Sequence, residues 1–66
     1  MNKDLFNYHL KNKGITQMVI AESLGITVQS LQNRLTGKVD WNLKEIKTVQ
    51  GVLKLKQEEI DRIFFA

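Results

Sequence analysis

The stretch Gln17–Gly37, QMVIAESLGITVQSLQNRLTG, decides the fold. It reads as two short amphipathic helices joined by a tight turn at Leu24-Gly25-Ile26. Ile20, Ala21 and Leu24 share one face of the first helix, and Leu31 and Leu35 share one face of the second. Ala21 faces the junction, where a small side chain lets the two backbones approach closely. Gly25 takes the turn, where a left-handed conformation costs glycine nothing. The solvent face of the second helix consists almost wholly of amides, hydroxyls and one arginine.

Outward from this stretch, the other helix starts share a local signature. Ile15-Thr16 is followed by Ile20, Ile26-Thr27 by Leu31, Trp41-Asn42 by Ile46, and Leu55-Lys56 by Ile60. An apolar residue before the cap and another five positions later form a hydrophobic staple. Thr16, Thr27 and Asn42 are good N-caps because their oxygens accept from orphan N–H groups. Lys56 is a poor one, so the last helix starts least securely. Glu45 and Glu59 stand at N3, where a carboxylate favours the positive end of the helix dipole.

These starts predict an all-α, compact five-helix bundle over a single domain, residues 1–66, with helices near 2–13, 17–24, 28–36, 43–54 and 57–65. Linkers of a few residues force the helices to pack on each other. The expected core is Phe6 and Leu10, Ile20, Ala21 and Leu24, Leu31 and Leu35, Leu43, Ile46, Val49 and Leu53, then Ile60, Ile63 and Phe64. Ile15, Ile26 and Leu55 plug the corners. Gly14, Gly25 and Gly37 fall where helices end, and Gly51 falls inside one.

Composition narrows the function classes. Cysteine is absent and there is one histidine, so neither a disulfide framework nor a zinc site is expected. His9 reads as a helix-surface residue and Met18 as partly exposed, while the staple to Ile46 accounts for Trp41. No paired carboxylates, phosphate-cradling glycine loop or nucleophile–base set is present, so no enzyme chemistry, cofactor or small-molecule ligand is expected. No apolar run approaches the roughly 20 residues that span a bilayer, and a signal-peptide core is lacking. The expected location is the cytoplasm, in a bacterial host at the nucleoid. Residues 1–56 carry a net +5 and residues 57–66 a net −2. The basic body is suited to face a polyanion while the acidic tail points away. From Ser23 to Val39 there is no acidic residue to oppose such an approach. A polar helix that buries little for its own benefit suits the major groove of DNA.

Gln17, Ala21, Gly25, Ile26, Leu31 and Gly37 stand at the spacings of the lambda-repressor-like, Cro- and repressor-type (XRE family) helix-turn-helix domains, which the chain resembles. The flanks LKNKGITQ and TGKVDWNLKEIK and the close EEIDRIFF resemble small phage members, so the likeness covers essentially the whole chain. It implies a sequence-specific, double-stranded-DNA-binding transcriptional regulator whose recognition helix, 28–36, enters the operator major groove and blocks transcription. Base contacts are then expected from Val28, Gln29, Ser30, Gln32 and Asn33, with Gln29 able to pair bidentately with adenine. Phosphate contacts are expected from Gln17, Thr27, Arg34, Lys38, Asn42 and Lys44. Two departures stand out. Arg34 occupies a position that is apolar in many members, so Leu35 must supply the packing. Leu10 and Leu35 replace an ion pair that ties helix 1 to helix 3 in some repressors. Most such members bind as two-fold dimers, and the apolar tail leads us to expect a homodimer interface at Ile60, Phe64 and Phe65. Two other readings of the fold stay open: an antirepressor or modulator that caps another repressor, and an antitoxin that regulates its own operon.

Overall fold

Gly14-Ile15-Thr16 and Gly25-Ile26-Thr27 build the same corner twice in the computed structural model, which describes residues 1–66. Helix α1 (Lys3–Lys13) ends at the first and α2 (Gln17–Leu24) begins there; α2 ends at the second and α3 (Val28–Leu35) begins there. Each glycine is left-handed, at φ 68° and 72°. The next N–H reaches back five residues, Ile15 to the Leu10 carbonyl at 2.9 Å and Ile26 to the Ala21 carbonyl at 3.0 Å. These are Schellman closures, which satisfy carbonyls the helix leaves orphaned. The same isoleucine then precedes the threonine that caps the following helix: Thr16 Oγ1 accepts from Val19 N–H and Thr27 Oγ1 from Ser30 N–H. One apolar residue thus closes one helix and staples the next.

A third corner, Lys54-Leu55-Lys56, repeats the plan with weaker residues. Helix α4 (Leu43–Leu53) ends at Lys54, which is left-handed at φ 53° and is the only non-glycine residue with positive φ. Leu55 N–H closes onto the Gln50 carbonyl at 3.1 Å. Lys56 offers no side-chain cap to α5 (Gln57–Ile60), as its sequence position predicts. Instead the Glu59 carboxylate accepts from Lys56 N–H, and that bond holds its pKa below the ordinary carboxylate value. The final helix is not one α-helix to residue 65: it widens into a π-helical turn, Asp61–Phe65.

The fold is therefore all-helical, with five helices and no strand. None of the helices is long and apolar enough to cross a membrane. Phe6, Ile20, Leu31, Val49, Leu53, Ile60 and Ile63 are almost wholly buried, with Leu10, Ala21, Leu35, Ile46 and Leu55 completing the core. Leu24, Ile15, Ile26 and Phe64 pack on it from the margin.

Three expectations need correction. Leu43 is 62% exposed rather than core. It is the first residue of α4, and the buried stripe begins one turn later at Ile46; Trp41 covers that end instead, its ring 6.1 Å from Phe6 and 5.0 Å from Phe64. His9 is not on the surface: at i+3 from Phe6 it lies on the packed face of α1, and it is 8% exposed. Its Nδ1 has no hydrogen-bond partner. Ile60 is 1% exposed, buried in the protein's own core, so it is unavailable to an interface.

The left-handed corners make opposite predictions for two substitutions. Lys54→Gly removes a conformational cost and is expected to stabilise the fold by about 0.5–1 kcal/mol. Gly25→Ala is expected to destabilise it by about 1 kcal/mol, because a Cβ there meets open space and only the backbone is strained. Urea midpoints at constant m-value measure both.

Candidate functional site

Helix α3 buries Leu31 and Leu35 and turns the rest of its surface outward. Val28 and Gln29 are exposed, and Ser30, Gln32, Asn33 and Arg34 are half-buried. Leu35 supplies the packing, as expected: it is buried in the core with Leu10, and Arg34 lies at the helix margin.

The amides of this face are not independent. Gln29 Nε2 donates to Asn33 Oδ1 at 3.2 Å, one helical turn along. Gln32 Nε2 donates to Gln17 Oε1, and Gln17 Nε2 donates to Asn7 Oδ1 at 3.0 Å. A chain of three amides thus links α3 to α2 and α2 to α1. Neither Gln29 Oε1 nor Gln32 Oε1 accepts a bond within the protein. Asn7 is absent from the residues expected at the site. Its position one turn before Lys11 on α1 carries no motif, so only the folded geometry reveals it.

On the other flank, Arg34 is held from two sides. Its Nη1 donates to the Ser30 carbonyl at 3.0 Å and to Ser30 Oγ at 2.6 Å. Its Nε and Nη2 meet both oxygens of Glu45 at 3.0–3.2 Å. Glu45 also accepts from Asn42 N–H at 3.1 Å, while Asn42 Oδ1 accepts from Glu45 N–H at 2.8 Å, a complete capping box. The acid-free run from Ser23 to Val39 therefore receives a carboxylate from α4 in space, and it arrives already paired. Glu45 reads in sequence only as an N3 residue; its second partner is invisible there.

The six residues expected to carry phosphate contacts divide accordingly. Gln17, Thr27, Arg34 and Asn42 all have their side chains engaged inside the protein. Lys38 and Lys44 are exposed and make no ion pair, since Arg34–Glu45 is the only salt bridge. At the opposite end of the chain Phe65 is 61% exposed and Phe64 is half-buried against Trp41. They rim a groove of about 480 Å³ whose other walls include Leu35, Val39 and Trp41.

The chain matches the family described as "Protein of unknown function (DUF739)" over residues 5–66, and it belongs to that family. No curated protein and no solved structure matches it.

The Arg34–Glu45 contact has a signed pH dependence. Burial pushes the Glu45 carboxyl up, but the bonds from Arg34 and from Asn42 N–H, with the guanidinium charge, outweigh it and leave the pKa below its ordinary 4.5. A depressed carboxylate pKa stabilises the fold above the unfolded value, and the gain is lost as pH falls through the folded one. Glu45→Gln is expected to cost about 1–3 kcal/mol at neutral pH. The gap to the wild type should narrow as pH falls below 4.5, in urea unfolding across a pH series.

Proposed function

We propose that this member of the DUF739 family is a sequence-specific double-stranded-DNA-binding regulator of phage Cro or repressor type. In this reading α2 and α3 form a helix-turn-helix, and α3 lies in the major groove of an operator and blocks transcription there. The observation that carries it is the exposed face of α3. Gln29 and Asn33 lie on that face with Gln32 at its edge, the Glu45 carboxylate is neutralised by Arg34, and Lys38 and Lys44 are exposed and unpaired.

Roles follow from what each side chain has free. Gln29 keeps one N–H and its carbonyl oxygen, the pair that matches adenine N7 and N6. Val28, exposed one residue before it, suits a thymine methyl. Lys38 and Lys44 supply point charges for phosphates, which set position and affinity without reading sequence. Gln17, Thr27, Arg34 and Asn42 act mainly by holding the frame of the helix, since their side-chain groups already have partners.

Duplex DNA from beside the protein's own gene, titrated at several salt concentrations, tests this reading. Binding should weaken steeply as salt rises. Lys44→Ala should weaken all sequences alike and lower the salt slope by about 1. Gln29→Ala should instead relax the choice at one base pair, at a cost of about 1–3 kcal/mol on the preferred site. Failure to bind any duplex, with capture of a second repressor, would favour the antirepressor reading.

A single short helix reads few base pairs, and a two-fold dimer on half-sites about 34 Å apart would extend the contact. Phe65, exposed on the rim of the Trp41 groove, is the proposed contact with the second copy, and Phe64 supports it from behind. Sedimentation should show concentration-dependent dimers of the wild type and a shift to monomer in Phe65→Ser. A wild type that is monomeric at every concentration overturns the dimer.

A further inference from the structure

An amide side chain is ambidextrous: either end can face outward, and a free glutamine on a recognition surface can offer a donor or an acceptor. Gln32 is not free in this way. Its Nε2 is spent on Gln17 Oε1, and Gln17 keeps that oxygen turned toward α3 because its own Nε2 is spent on Asn7 Oδ1. The sense of the whole chain runs from α3 through α2 to α1, and its last acceptor is Asn7. Gln32 is thereby left with an outward carbonyl oxygen that accepts nothing from the protein. All three residues are half-buried, where competition from water is reduced and a hydrogen-bonded amide holds its direction more firmly.

We propose that Asn7 on α1 is a positioning residue for base selection: through Gln17 it fixes Gln32 as an acceptor, directed at an exocyclic amino group of adenine or cytosine. This rests on the DNA-binding reading above. Asn7 need not touch DNA to act. An acceptor presented at the groove edge favours base pairs that show an amino group there and disfavours those that show a carbonyl oxygen in the same place.

The test uses the full chain and a pool of duplexes with a randomised central segment, selected by wild type, Asn7→Ala and Asn7→Asp. Alanine removes the last acceptor and is well suited to a helix, so the fold is retained. Aspartate keeps an acceptor oxygen in the same place and can only accept, so it holds the chain in its present sense. The wild type should enrich one site, and Asn7→Ala should lose roughly 3- to 10-fold of the discrimination at one base pair, the scale of a single hydrogen bond. Asn7→Asp should restore that preference, even if its charge lowers affinity evenly across all sequences. In the free protein, the Gln32 side-chain amide should gain mobility by NMR relaxation in Asn7→Ala and not in Asn7→Asp.

If Asn7→Ala selects the wild-type site with unchanged discrimination, the role of Asn7 is overturned while DNA binding stands. A uniform loss of affinity with no change in preference, in both variants, overturns it equally. If the wild type enriches no sequence, the DNA-binding reading falls, and this proposal falls with it.

Discussion

The left-handed corner is the constraint on which the rest of the bundle depends. A helix must leave carbonyls unsatisfied at its end and N–H groups unsatisfied at its start. At three of the four junctions the linker is only three residues, so both problems have to be solved at nearly the same place. Here a left-handed residue turns the chain, the following apolar residue closes the old helix by a bond five residues back, and the next residue opens the new one. Because Ile15 and Ile26 also pack against the core, hydrogen bonding and burial fix the same angle. The third corner shows what happens when the residues are less suited: Lys54 holds a conformation that glycine would hold freely, and Glu59 stands in for a missing cap.

The outer face of α3 is built on that frame, and its polar groups are fixed by two separate devices. Toward α1 and α2, amides are joined end to end, so their donors and acceptors have assigned directions. Toward α4, a guanidinium is clamped between a hydroxyl, a carbonyl and a carboxylate. The clamp spends a positive charge but cancels a negative one, and it ties α3 to the first turn of α4. Left unengaged are the free ends of the α3 amides, Gln29 Oε1 and Gln32 Oε1 among them, together with the exposed Lys38 and Lys44. A surface with few rotatable choices loses little entropy when it meets a partner, which is why order in the free protein favours selectivity in a complex.

Much of the fold was legible in the chain because it is written locally. Gly25, Thr16, Thr27 and the repeated staples each act within a few residues, so spacing alone exposes them. Leu31, Leu35, Val49 and Ile63 follow from helical period. The misreadings share one cause: they depend on what another helix covers. His9 and Ile60 are buried by packing between helices, and Leu43 is bared because Trp41, from the preceding loop, takes its place over the core. The candidate site was legible as a list of polar residues on one helix and not as a network. Glu45 and Asn7 reach it from elements 10 or more positions away from their partners, and no local pattern records such a meeting.

One bond gives the protein a property of closed chains. Asn2 N–H donates to the Ile63 carbonyl at 2.6 Å, and Trp41 Nε1 donates to Met1 Sδ at 3.1 Å. The first and last turns therefore latch onto each other across nearly the whole contour of the chain, in a bundle whose other corners are all local. Ends of a small helical domain ordinarily fray one at a time. Here residues 2 and 63 are bonded to each other, so releasing Asn2 also frees the Ile63 carbonyl in the turn that carries Phe64 and Phe65. The aromatic rim and the first turn of α1 are thus coupled through one backbone bond between residues 2 and 63.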